Sequence, residues 1–227
     1  MVLVARRSEL LDEVASVIEG NFGVQTVKFV ADLSEPALVD ALVSACSPLN
    51  VTYLVAAAGF GSSGDLIHSD IANERRMLRL NCEAVMVLCR EFGRRMVEQR
   101  RGAIVLFSSI VAFQGVPKSA HYAATKAYIQ SLAEGLAVEL KPHGVCVVSS
   151  APGPIETGFG VRAGMRMGQA ALQPQIVALQ TLASIGVRTT VRPGALSKIL
   201  GWGLAALPRP LRVRVMGRVM QNMTKRA

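Results

Sequence analysis

Acidic residues are missing from the last third of the chain. Residues 161–227 carry 11 Lys and Arg and no Asp or Glu. Residues 1–160 hold the other 14 bases and all 16 acids, a net of −2, so the basic character behind the chain's net +9 belongs to the tail alone. Paired cysteines are also missing. Cys46, Cys82, Cys89 and Cys146 are scattered, with no C-x-x-C, which favours buried thiols over a disulfide framework or zinc site. His68, His121 and His143 lack metal-ligand spacing, so no metal is expected. Long apolar runs are absent too: Ile199–Leu207 is far too short to span a bilayer. The opening MVLVARRSELLDE meets acids too early for a signal peptide. A soluble, cytoplasmic protein is expected, with no nucleic-acid partner. Hydrophobic residues at 51% and charged residues at 18% exclude disorder, which needs the opposite balance. A length of 227 residues suits one domain.

What is present is an alternation of apolar runs and helical patterns. Val2–Ala5, Gln25–Val30, Val51–Ala58, Gly102–Ser108 and Gly144–Ser149 read as strands. Ser8–Glu19, Glu35–Ala45, a long segment from Ser69 to Gln99 broken near its start, and Ser119–Lys141 read as helices. The strands are continuous apolar runs, as expected when both sheet faces are covered. Such alternation predicts a parallel sheet flanked by helices.

Tyr122 and Lys126 stand at i and i+4, on one helix face. A phenol titrates near 10 and is a poor proton acceptor at neutral pH. A neighbouring ammonium is expected to draw that pKa down, by about 3 units for a value near 7. Ser109 ends a buried strand, where ligands of parallel sheets gather. Asn81 sits inside a helix, a place its propensity does not favour. Asp32 and the stretch Pro152-Gly-Pro-Ile-Glu-Thr157 each follow a strand's carboxyl end. Singly, each reads as an ordinary loop or surface group.

Together, Asn81, Ser109, Tyr122, Lys126 and PGPIET resemble the short-chain dehydrogenase/reductase family, in order and spacing, over residues 2 to about 160. The resemblance implies a doubly wound, Rossmann-like α/β fold binding a nicotinamide cofactor. It implies Tyr122 as general acid/base, Ser109 on the substrate carbonyl, Lys126 on the ribose, and Asn81 positioning a water that relays protons to Lys126. Asp32 and Leu33 would bound the adenine. Pro152, Ile155 and Thr157 would meet the nicotinamide side, beside Ala57 and Gly59. Arg6 and Arg7 stand where NAD-preferring members usually carry an acid. Guanidinium groups suit a 2′-phosphate, so NADP is expected, with NAD as the alternative. The implied reaction is hydride transfer between cofactor and a small apolar carbonyl or alcohol, by a homo-oligomer.

Two departures stand out. The family's T-G-x-x-x-G-x-G turn, whose helix N-terminus holds the pyrophosphate, does not occur in residues 1–227. About 25 to 30 residues, the first βα unit, are missing from what would be a complete βαβ. The lost strand would lie between those at 2–5 and 51–58, leaving unpaired edges. Met1 is therefore expected to be an internal start, with the missing unit encoded upstream. Second, the family's N-N-A-G appears as Ala56-Ala-Ala-Gly59. These departures support a rival class, a truncated or degenerate relative that binds a partner or membrane without catalysis. The joint presence of Asn81, Ser109, Tyr122 and Lys126 argues against it.

Other residues read plainly. His121 is expected at the surface, Cys82 and Cys89 in a helix core, and Met165 and Met167 in an ordinary loop. The basic tail, about 190–227, reads as terminal helices packed on their own domain with solvated arginines. A basic amphipathic surface meeting anionic lipid or an acidic partner, peripheral to a membrane, is the alternative.

Overall fold

The computed structural model describes residues 1–165 and 171–224. Met167 lies outside the described residues. The first βα units are β1 (Val2–Ala5), α1 (Ser8–Phe22), β2 (Val27–Val30), α2 (Pro36–Ala45) and β3 (Tyr53–Ala56). Helix α1 stops at Gly23, whose φ of 63° lets its N–H reach back to the Glu19 carbonyl. Helix α2 begins on Pro36, where a missing N–H costs least.

The long segment after β3 is broken more often than its pattern predicts. It contains a short 3₁₀ turn at Leu66–His68, α3 (Ile71–Leu78), a π-helical turn at Arg79–Glu83 and α4 (Ala84–Glu98). Strand β4 (Gly102–Phe107), α5 (Ala120–Leu140) and β5 (Val145–Ser150) follow. Gly144, at φ 76°, lets β5 begin beside the end of α4. Any Cβ there would lie 2.3 Å from the Arg100 carbonyl oxygen. The tail holds α6 (Phe159–Arg162), α7 (Pro174–Leu182), β6 (Thr190–Val191), α8 (Ala195–Ala205) and α9 (Arg209–Thr224).

Every strand pairing is parallel, and the architecture is Rossmann-like α/β. The pairs fall into two groups, β1 with β2, and β3-β4-β5-β6 in that order. Met96, Ile104, Leu106 and Ala133 are fully buried and mark the core between α4, α5 and the central strands.

The expectation that all strands are covered on both faces holds for β4 and β5 only. Tyr53 and Val55 of β3, and Val27 and Val30 of β2, are more than half exposed. The reason is that β1 and β3 do not pair. A cavity of about 750 Å³ separates them, lined by residues of both strands and by Leu33, Leu42 and Leu88. It lies where the family resemblance implies an additional strand.

Candidate active site

Three of the expected catalytic side chains meet at the carboxyl end of β4. Ser109 follows that strand. Tyr122 and Lys126 stand one turn apart near the start of α5, both buried. The Ser109 hydroxyl donates to the Pro152 carbonyl at 3.5 Å and accepts from the Val111 N–H at 3.3 Å, and it lines the same cavity as the Tyr122 phenol. The Lys126 ammonium donates to the Phe107 carbonyl at 2.7 Å and lies 5.8 Å from the centre of the Tyr122 ring. Ser108 donates to the Lys126 carbonyl, tying β4 to α5. The Phe159 ring packs against Tyr122 at 5.5 Å between centroids.

The lysine does not dominate the tyrosine as expected. Burial raises the Tyr122 pKa well above its ordinary value, and the nearby Ser109 hydroxyl only partly offsets it. The same desolvation pulls Lys126 down, to about 8. In an apolar pocket, losing water costs each charged form more than the neighbour returns. The phenol is thereby kept protonated at neutral pH, as a proton donor must be.

A pH dependence follows for Lys126. Its folded pKa of about 8 lies below the ordinary 10.5, so between these values the unfolded chain binds more protons. Stability should rise with pH there. The cost of the buried charge is complete below pH 8 and is relieved on the way to 10. Relative to Lys126→Met, wild-type stability is expected to gain roughly 2 kcal/mol between pH 8 and 10. Urea unfolding of both proteins across that range measures it, and a constant difference would contradict it.

Asn81 occupies the π-helical turn between α3 and α4 and is 2% exposed. Its Oδ1 accepts from the Phe60 N–H at 3.1 Å; its Nδ2 donates to the Phe60 carbonyl at 2.8 Å and the Thr125 hydroxyl at 3.1 Å. The side chain thus ties the turn after β3 to α5. Gly59 serves the same junction. A Cβ there would stand 3.0 Å from Asn81 Oδ1 and 3.7 Å from Lys126 Nζ. Asn81→Ala would orphan both Phe60 groups and is expected to cost about 3 kcal/mol. Denaturant unfolding reads this, and a change below about 0.5 kcal/mol would rule out the positioning role.

These groups open onto a cavity of about 380 Å³. Ala57, Gly59, Ser109, Tyr122, Lys126, Pro152, Ile155 and Thr157 all line it, so most expected site residues are brought together. Asn81 lies behind its wall. Lys126 is the only ionisable cation along it among the described residues. Apart from Ser108 and Ser119 the remainder carries no polar side chain and comes largely from the tail: Leu196, Leu200 and Leu204 of α8, and Met216, Met220 and Met223 of α9. The tail is fastened by the Gly153 N–H donating to Ser197 Oγ at 2.8 Å. Arg212 adds two bonds, to the Leu207 and Ala205 carbonyls that end α8. Met165 is buried against this wall rather than lying in an ordinary loop. The tail's hydrophobic spacing announced packing of this kind, but not that the packing partner is the pocket.

Arg6, Asp32 and Leu33 lie elsewhere. Asp32 sits at the carboxyl end of β2, 3.5 Å from Arg6 and 3.1 Å from Arg76 of α3. Partial burial pushes its pKa up, but hydrogen bonds from Ser34 and the two guanidiniums outweigh that and lower it. Arg162, stacked 4.4 Å over Phe60, feels the charges of Arg6, Arg76 and Asp32. Two guanidiniums thus pair with one carboxylate, a third lies within reach of their charges, and the group is net positive. Arg76 and Arg162 gave no sequence signal, because only the fold brings α3 and α6 to Arg6. Leu33 is buried in the core and borders the slot between the two strand groups.

Two further readings change or stand. His121 is not a free surface residue: its Nδ1 lies 2.6 Å from the buried carboxylate of Glu74. Cys82 and Cys89 are buried, and desolvation pushes their thiols up to about 11 and about 12.

Known proteins resemble this chain in sequence and in fold. The short chain dehydrogenase family profile matches residues 1–166. A 7beta-hydroxysteroid dehydrogenase of Clostridium sardiniense is 27% identical over 201 residues, covering 87% of this chain and 77% of that protein. A solved 7beta-hydroxysteroid dehydrogenase is 25% identical with a TM-score of 0.86, covering 95% of this chain and 85% of the other. A short-chain dehydrogenase from Sphingobium yanoikuyae, solved with NADPH, is 26% identical with a TM-score of 0.78 and coverages of 91% and 86%.

Proposed function

The chain belongs to the short chain dehydrogenase family, oxidoreductases acting on CH–OH and C=O groups, and on that footing we propose that it works with NADP(H) on a bulky apolar carbonyl or alcohol. The observation that carries this reading is the convergence of Ser109, Tyr122 and Lys126 on one largely apolar cavity. A volume of about 380 Å³ falls in the range of small-molecule sites. The Leu and Met wall offers a charged or polyhydroxylated substrate no partners, and burying unpaired polar groups is costly.

The residues present fit a nicotinamide cofactor on one side. Gly59 has no side chain to fill the space beside Asn81 and Lys126, and Ile155 and Thr157 border the same cavity. The excess positive charge of Arg6, Arg76 and Arg162 around Asp32 favours a 2′-phosphate over a bare ribose. When bound, the cofactor supplies or accepts the hydride. In the reductive direction, Ser109 donates a hydrogen bond to the carbonyl oxygen and Tyr122 delivers its proton there as the alcohol forms. Lys126 keeps Tyr122 oriented and, when protonated, stabilises the phenolate left behind. Asn81 holds the turn after β3 against α5 and acts through position.

The non-catalytic alternative has less support, because nothing in a disused site would keep these buried polar groups converging. Exposed Met86, Tyr128 and Val138 on α4 and α5 support self-association. The basic tail, exposed and apolar in places, supports contact with a lipid surface. Steady-state NADPH oxidation with a bulky apolar ketone and with a sugar acid tests the substrate class. The ketone is expected to give a kcat/KM at least about 100-fold higher, corresponding to two or more lost hydrogen bonds. Equal or reversed values would sink it.

A further inference from the structure

Helix α8 is apolar on two sides. Leu196, Leu200 and Leu204 line the pocket, while Ile199 and Trp202 are 68% and 75% exposed. These two are three residues apart and so are neighbours on the outer face. A helix that only covered its own core would carry polar residues there. Cations stand alongside. Lys198 is exposed on α8, Arg209 is exposed at the start of α9, and Arg192 packs its side chain against Gly201 of α8. No acid occurs anywhere in residues 161–227 to oppose them. An exposed tryptophan and isoleucine among cations match the membrane interface, where an indole sits at headgroup level and basic side chains meet anionic lipid. An acidic protein would satisfy the cations but leaves the apolar pair without a reason.

We propose that α8 and the start of α9 dock on an anionic lipid bilayer, with Ile199 and Trp202 entering the headgroup region and Lys198 and Arg209 meeting lipid anions. No described helix is long and apolar enough to cross a membrane, so the contact is peripheral. The docked helix is also a wall of the pocket, which places the site next to an apolar reservoir. That consequence rests on the proposed function, whereas the docking itself does not.

Trp202 is the only tryptophan, so its fluorescence reports on this face directly. The 227-residue chain is mixed with phosphatidylcholine vesicles, with or without phosphatidylglycerol, and binding is read by co-sedimentation and by Trp202 emission. The expected result is binding to the anionic vesicles at low salt, loss at high salt, and an emission shift to shorter wavelength. Ile199→Ser should weaken partitioning about tenfold. Lys198→Glu with Arg209→Glu should weaken it at least about tenfold. Both variants alter exposed positions, and circular dichroism checks their folding. No binding at low salt, or equal binding to neutral vesicles, would overturn the proposal. So would binding to polyglutamate but not vesicles, or short-wavelength emission in buffer from a self-associated chain, which would show a second copy covering this face. Because binding is read without turnover, failure here leaves the catalytic reading standing, and a catalytically silent protein that binds vesicles leaves the docking standing.

Discussion

Tyr122→Phe is expected to lower turnover by about 10² to 10⁴, the usual weight of a general acid/base, while leaving the fold intact. The substitution removes one hydroxyl. The ring keeps its packing on Phe159 and its place beside Lys126. What is lost is the phenolic proton beside Ser109, which burial holds in place at neutral pH. The cavity offers no substitute, because its remaining lining is apolar apart from hydroxyls and Lys126. Single-turnover rates at saturating NADPH measure the effect on chemistry, and a rate within about threefold of wild type, under 1 kcal/mol of barrier, would remove Tyr122 from the role.

Affinity for NADPH gives the second large expected effect. Residues 1–227 contain no T-G-x-x-x-G-x-G turn. A helix N-terminus reached by such a turn is the usual seat of a pyrophosphate. The charges that remain near β1 and β2 are partly exposed, and exposed ion pairs are typically worth ~0–1 kcal/mol. Residues 1–227 alone should therefore bind NADPH weakly. A longer chain carrying an apolar strand, that turn and a helix before Met1 should bind at least about 100-fold more tightly, from two or more charge-assisted hydrogen bonds. The added strand has a place waiting, since β1 and β3 face each other across an apolar slot. Pairing both edges should also reduce aggregation. Isothermal titration of both chains tests this. Equal affinities, micromolar or better, would show that residues 1–227 hold the phosphates in another way.

The legible parts of this molecule are those carried by local pattern. The strands β4 and β5, the helices around them and the Ser109, Tyr122 and Lys126 constellation follow from apolar runs and from i, i+4 spacing. The covered-sheet expectation failed at Tyr53 and Val55 because an apolar run does not reveal whether its neighbour strand is present. The Tyr122 pKa went the other way because the i+4 lysine is visible in sequence, whereas the desolvation comes from burial among Phe60, Met77 and Phe159, which only the fold brings together. Asn81 looked out of place in a helix, and the reason is a π-helical turn whose side-chain partners, Phe60 and Thr125, are far off in sequence. Arg76 and Arg162 join Arg6 and Asp32 only through tertiary packing. Met216, Met220 and Met223 likewise become pocket wall only once α9 folds back.

The most direct test is deuterium transfer from NADPH carrying deuterium at both nicotinamide C4 positions to a bulky apolar ketone. Residues 1–227 are used at high cofactor concentration to offset weak binding, with Tyr122→Phe alongside and the alcohol analysed by mass spectrometry. The account predicts one deuterium on the carbinol carbon of the wild-type product and a rate at least about 100-fold lower with Tyr122→Phe. Unlabelled alcohol, or labelled alcohol formed equally fast by the variant, would contradict it.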